Sequence, residues 1–203
     1  MNKTNMQRLT SFYLGALLAF ISVPASADCI DLTKGSSFSL TRDEPRFEVT
    51  NTVSADGSVI EEREMTRNGS FEKITTTYWN GVIAVDRITS SSHVQLNMSE
   101  DAKLADLSEI GKSYSFPVSI FVNGNEVDRG AFIIETVENT ALELGGCRYS
   151  VMVVRTSINR NNGAPINEEA LLSLDAGMLL GNVAMTPDWQ PKHGVFFDDI
   201  KAN

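Results

Sequence analysis

Cysteine and histidine, the residues that carry most metal and redox chemistry, occur only twice each in this 203-residue chain. The cysteines, Cys29 and Cys147, lie too far apart for a Cys-x-x-Cys redox motif, and neither has enough neighbouring ligands for a zinc site. No Gly-x-Ser-x-Gly turn is present, which removes the nucleophile elbow of the common serine hydrolases. The absence of an Asp-x-Asp-x-Asp-Gly run removes the usual calcium loop. Basic residues are outnumbered, 17 Lys and Arg against 26 Asp and Glu for a net charge of −9. That balance excludes nucleic acid as a partner, because phosphates demand clustered cations, and it excludes docking on anionic lipid through a basic face. Fixed-period repeats, low-complexity tracts and internal Pro/Gly/Ser linkers are also missing. No cofactor or metal is implied by any motif.

What is present begins with export. Lys3 and Arg8 precede an uncharged, mainly apolar stretch from Ser11 to Val23, and Pro24 is followed by Ala25-Ser26-Ala27. A positive start, a short apolar middle and a small-x-small site are the three parts of a secretory signal peptide, which predicts a leader over residues 1–27 cleaved after Ala27. A spanning helix wants about 20 apolar residues, more than this run supplies, so the processed chain is not expected to be an integral membrane protein. Asp28 stands where a lipidated cysteine would need a small residue before it, which argues against a lipoprotein. The expectation is a single β-rich domain over residues 28–203, periplasmic or secreted. Losing Lys3 and Arg8 makes it still more acidic, and solubility is the plainest consequence. In such a compartment thiols oxidise, so Cys29 and Cys147 are expected to form a disulfide. A closure that long contributes about 4 to 5 kcal/mol in the chain-entropy account.

The remaining sequence reads as short runs of Val, Ile, Thr and aromatics separated by turn signals. Ala55-Asp56-Gly57, Asn68-Gly69 and Asn80-Gly81 divide Arg46–Val53, Ser58–Thr66, Phe71–Trp79 and Val82–Ser90. Asp-Gly and Asn-Gly favour tight hairpins, because the central residues need positive φ. His93–Met98 continues as strand. Ser99-Glu100-Asp101, then Leu104, Leu107 and Ile110 with Gly111 behind, predicts one helix of about ten residues. Strands resume through 113–122, turn at Asn123-Gly124-Asn125, run from 127 to 137, turn at Asn139-Thr140, and continue through Ala141–Leu144 to Gly145-Gly146. Cys147, Tyr149, Val151 and Val153 share a face of the next strand by the two-residue period. Asp175-Ala176-Gly177 favours a hairpin over a helix within 166–183. The expected fold is therefore mainly β: an antiparallel meander forming a curved sheet or half-open barrel of about ten strands, with one short helix over an open end. In layout this resembles lipocalin-type barrels or the open half-barrels of periplasmic lipoprotein carriers. The Gly-x-Trp of many lipocalins is absent, so no functional residue carries over.

Candidate chemistry is sparse. His93 follows Ser90-Ser91-Ser92, but adjacent strand residues point to opposite faces; His193 lies before the last apolar run. Both read as surface or satisfied polar histidines. Glu61, Glu62, Glu64 and the Asp198-Asp199 pair lack the facing geometry a glycosidase needs, and Glu61 with Arg63 on one face and Glu62 with Glu64 on the other reads as a solvated strand. The aromatics Tyr78, Trp79, Phe116, Phe121, Phe132, Tyr149, Phe196 and Phe197 could line an apolar cavity, against ordinary core filling, with Tyr78, Trp79, Phe116, Phe132 and Tyr149 as the candidate lining; Trp189 and Pro191 sit in an irregular loop. The leading expectation is a non-enzymatic envelope protein that binds an apolar small molecule or an envelope partner along its curved sheet. A hydrolase with a site assembled from scattered residues, His93 or His193 as base, and a structural or assembly factor stand beside it.

Overall fold

The computed structural model describes residues 29–67 and 69–203. The expected leader over 1–27 lies outside them, as does Asn68 of the expected Asn68-Gly69 turn. Thirteen antiparallel strands follow one another as β1 (Ser37–Arg42), β2 (Phe47–Val53), β3 (Val59–Arg67), β4 (Ser70–Trp79), β5 (Ile83–Ile88), β6 (His93–Met98), β7 (Ser113–Val122), β8 (Asn125–Leu144), β9 (Cys147–Arg160), β10 (Ile166–Ser173), β11 (Met178–Met185), β12 (Pro191–Phe196) and β13 (Asp199–Ala202). From β1 to β12 each strand pairs with its predecessor, so the mainly β meander expected from the turn signals is present. The 166–183 segment is the expected hairpin, β10 with β11.

Two local expectations are corrected. No turn forms at Asn139-Thr140, since β8 runs unbroken past it and absorbs the irregularity as a bulge between Thr136 and Glu138. The ten-residue helix is instead a single 3-10 turn, Glu100–Leu104, capped by the Ser99 side chain. Tertiary pairing accounts for the loss. Gly111 N–H donates to the Thr136 carbonyl and Thr136 N–H to the Lys112 carbonyl, each within 3.0 Å. The Thr136 hydroxyl donates to the Glu109 carbonyl at 2.6 Å. Asp106 turns the chain by accepting from Ser108 N–H at 2.9 Å. These bonds satisfy the backbone in an extended course along β8, and only Leu107 of the presumed apolar face is buried, while Leu104 and Ile110 are exposed.

β13 leaves the meander to pair with β1, at the opposite edge from β12. Only Phe197 and Asp198 separate those two edge strands, a step of roughly 10 Å in an extended chain. The sheet must therefore curl until its edges meet at one corner, although its ladder stays open. Asp198 fixes that corner: its carbonyl accepts from Gly145 N–H at 2.9 Å and its own N–H donates to the Thr41 carbonyl at 2.8 Å. Its carboxylate accepts from Asp43 N–H at 2.7 Å. Elsewhere the curl brings the β4–β5 turn against the β10–β11 turn. Gly81, at φ +69°, lies so close that an added Cβ would collide with the Gly177 carbonyl oxygen.

Buried side chains form two clusters. The first joins β1–β3 to β9, β11 and β13 through Phe38, Val49, Val151, Met178, Leu180 and Ile200. The second joins β5–β8 to β9 and β10 through Ile83, Phe132, Ile134, Met152, Val154 and Leu172. Strand β9 gives Cys147, Tyr149 and Val151 to the first and Met152 and Val154 to the second, so Val151–Val154 is buried on both faces. A run of four β-branched and sulfur-containing residues suits such a doubly covered strand. Fully burying each large apolar side chain contributes roughly 1.5–3 kcal/mol.

A cleft where two strands part

The five aromatic candidates do not converge. Tyr149 joins the first cluster and its hydroxyl accepts from Ile30 N–H at 3.3 Å. This contact lies beside the Cys29–Cys147 disulfide, which closes a sequence separation of 118 with an S–S distance of 2.04 Å. Tyr78 packs on the same cluster, while Phe116 and Phe132 belong to the second. Only Trp79, packed on the edge of the second cluster, also borders an open cleft.

That cleft follows from strand pairing. β5 pairs with β4 along its length, with a shift in register between Thr77 and Tyr78, but meets β6 only through Asp86–Ile88 against His93–Gln95. β6 then follows β7 as far as Met98, leaving Ile83–Val85 without a strand on that side. The 3-10 turn fills the bottom of the gap with Ala102, wholly buried. Asn80 holds it there, its amide donating to the carbonyls of Ala102 at 2.9 Å and Ala105 at 3.4 Å. A space of about 560 Å³ remains, lined by the apolar Trp79, Val85, Leu96, Met98 and Phe121 and by the polar Asp86, Gln95, Asn97 and Glu100. The Lys103 ammonium sits 4.7 Å from the Trp79 ring centroid. The sequence pattern offered Trp79 and, in the wider aromatic set, Phe121, but not Leu96, because nothing along the chain announces where two neighbouring strands stop pairing.

Asp86 is the polar group of this cleft that gathers two side-chain partners. One carboxylate oxygen takes both the His93 Nε2 contact at 2.8 Å and the Gln95 amide at 3.0 Å. The other has no partner among the described residues, so it remains able to accept from a ligand. His93 and Asp86 have the relation of a base and its orienting acid, and among the described residues no hydroxyl or thiol bonds the imidazole. His193 is exposed on β12, far along the ladder from His93.

Among the candidate carboxylates, Glu62 is exposed and paired with Lys73 at 2.9 Å, and Glu64 is exposed as well. Asp198 and Asp199 serve the corner and the β13 backbone. Glu61 and Arg63 correct the reading of β3 as solvated on both faces: Glu61 is 6 % exposed, and the pair meets at 3.2 Å in the interior. Val59 and Met65, two residues to either side on the same face, were the available signal. The Tyr78 hydroxyl donates to Glu61 at 3.4 Å, and burial, reinforced by the Glu61 charge, pushes the phenol well above its usual range. Glu168 lies within electrostatic reach of Glu61, Arg63 and Arg87. Its burial raises its pKa, against the Asn182 amide bond and the two arginines, which lower it.

Among the described residues no helix is long and apolar enough to cross a membrane, and no group of three or more His, Cys, Asp or Glu is placed to hold a metal ion. The chain matches no family model, and no curated protein or solved structure is significantly similar to it.

Proposed function

We propose that this chain is an exported, non-enzymatic binding domain that takes a small apolar molecule bearing a hydrogen-bond donor in the cleft between β5 and β6. The leader motif and the long-range disulfide support export, since such bonds persist in oxidising compartments. The cleft itself carries the reading. Its volume of about 560 Å³ falls within the roughly 300–1,000 Å³ of small-molecule sites, and apolar walls with a few convergent polar groups are their usual composition. The apolar interior works against a ligand held inside the curved sheet, because Phe38, Ile83, Met178 and Leu180 are wholly buried in packed clusters. In the cleft, Trp79, Leu96 and Phe121 cover the apolar body, and the unpartnered Asp86 oxygen accepts from the donor.

Trp79 and Trp189 are the two tryptophans, so Trp189→Phe leaves Trp79 as the sole reporter. Titrating that protein with the neutral, apolar amine N-phenyl-1-naphthylamine is expected to quench Trp79 by energy transfer in a saturable way. Asp86→Asn, with unchanged melting, is expected to weaken the saturation. Unchanged Trp79 emission up to the solubility of the probe would remove the small-molecule reading and leave an envelope protein as the candidate occupant.

A further inference from the structure

A second polar arrangement lies in a crevice between β8–β10 and the turn joining β11 to β12. Three non-glycine residues have positive φ among those described: Asn80 and Asn123, as side-chain chemistry favours, and Trp189 at +59°. A bulky residue in that region is a genuine outlier, and such strain persists where the surroundings over-determine it, often at ligand clamps. Several bonds enforce this one. Trp189 N–H donates to the Thr186 carbonyl at 3.0 Å, Thr186 N–H to the Gln190 carbonyl at 2.8 Å, and Gln190 N–H to the Thr186 hydroxyl at 2.9 Å. From below, Asn167, 4 % exposed, donates to the carbonyls of Thr186 at 3.1 Å and Pro187 at 3.3 Å. Its own oxygen accepts from Ser157 at 2.7 Å.

The indole is also held across one of its faces. The Arg155 guanidinium carbon lies 4.9 Å from the Trp189 ring centroid. Glu169 fixes that arginine by accepting from Nε at 2.8 Å and Nη2 at 2.7 Å through one oxygen. Between Trp189 and β8–β10 a crevice of about 220 Å³ remains, into which Glu135, Arg155, Ser157 and Asn159 also open. Its groups mix donors with acceptors. Arg155 Nη1 and the Asn159 amide nitrogen have no partner among the described residues, and neither has one of the two Glu135 oxygens.

We propose that this crevice binds a saccharide, one hexose ring lying against the part of the Trp189 indole that Arg155 leaves uncovered, with its hydroxyls bonded to Glu135, Arg155 and Asn159. The chemistry narrows the class. An anion meets Glu135 and Glu169, a cation meets Arg155, and a purely apolar ligand leaves these groups desolvated without partners. A neutral ring of adjacent hydroxyls both donates and accepts, and its C–H face supplies the apolar surface that an indole covers well. The crevice is smaller than the roughly 300 Å³ at which drug-sized sites begin, so it holds one ring while the remainder of an oligosaccharide stays in solvent. This site is separate from the β5–β6 cleft, and neither reading depends on the other.

Trp79→Phe leaves Trp189 as the only tryptophan. Glucose, N-acetylglucosamine and their β-1,4-linked trimers are titrated into that protein, with glycerol as the control polyol. At least one sugar is expected to change Trp189 emission saturably, glycerol to leave it flat, and added Asn159→Ala to weaken the response at least tenfold. In the otherwise wild-type chain, Trp189→Asn, which suits positive φ, is expected to melt no lower and to abolish the sugar-induced shifts of the Asn159 amide resonances in NMR spectra. A flat titration with all four sugars overturns the proposal. Undiminished sugar-induced shifts in the Trp189→Asn protein overturn it equally.

Discussion

Removing the Cys29–Cys147 bridge tests how much of this fold depends on a covalent tie. The bond closes a sequence separation of 118, and the chain-entropy relation gives about 5 kcal/mol at 25 °C for a loop of that length. The folded state should change little. Leu32 is 5 % exposed in the first cluster and Ile30 packs against the same cluster, while the Tyr149 hydroxyl still holds Ile30 N–H. The loss therefore falls mainly on the unfolded ensemble, which gains freedom. Some of it is recovered if residues 29–35 fray, because a frayed end regains entropy at the expense of one buried leucine, roughly 1.5–3 kcal/mol. We expect Cys29→Ala/Cys147→Ala to lower the unfolding free energy by about 3–5 kcal/mol, a large part of the 5–15 kcal/mol typical of a domain. Urea titrations of the double variant and of oxidised and reduced wild type measure it directly. The urea slope should rise as well, since an uncrosslinked unfolded chain exposes more surface. A loss below about 1 kcal/mol in both the variant and the reduced protein would refute the entropic argument.

Three further outcomes follow from the packing. Glu168 has a raised pKa when folded, so between the ordinary glutamate range and that raised value the folded chain holds a proton the unfolded chain has released. This contribution is fully present below the unfolded pKa, falls as pH rises through the folded one, and then levels off. Glu168→Gln, whose amide oxygen still accepts from Asn182, should gain stability relative to wild type as pH rises above the ordinary glutamate range; a difference in urea midpoint free energy that stays constant from acid to mildly alkaline pH would count against the burial. Gly81→Ala combines an unfavourable positive φ, about 1–2 kcal/mol, with a collision against Gly177 that costs roughly 1–3 kcal/mol. A loss under about 0.5 kcal/mol in urea would show that the two turns do not meet as described. Thr136→Val leaves Lys112 N–H, which the threonine hydroxyl accepts from at 2.9 Å, without that partner. It should cost about 1–3 kcal/mol, with Thr136→Ser restoring most of it, and faster hydrogen exchange at Lys112 is the local readout.

The chain order of this fold was legible because each hairpin is local. Asn80-Gly81 sits at a turn where both residues take positive φ, and at Asp56-Gly57 the glycine does; alternation of apolar and polar residues then aligns neighbouring strands without reference to anything distant. The disulfide was legible from the cysteine count together with the expectation of export. The helix expected after Ser99 was not lost through weak propensity. Its backbone found partners on β8, more than twenty residues away, and a one-dimensional pattern carries no record of that competition.

The sequence by itself determined a mainly β meander, which depends on residue type and local periodicity, and its two cysteines left one possible intrachain pairing. The tertiary structure alone decided where the curl of the sheet brings distant residues together. It buried Glu61 and Arg63 on a strand that reads as solvated, parted β5 from β6 to open a cleft at Trp79, and set Trp189 over Arg155 beside Asn159. Each of these outcomes depends on register, bulges and the closing of distances between strands far apart in the chain, and those are fixed by the summed packing of the whole sheet.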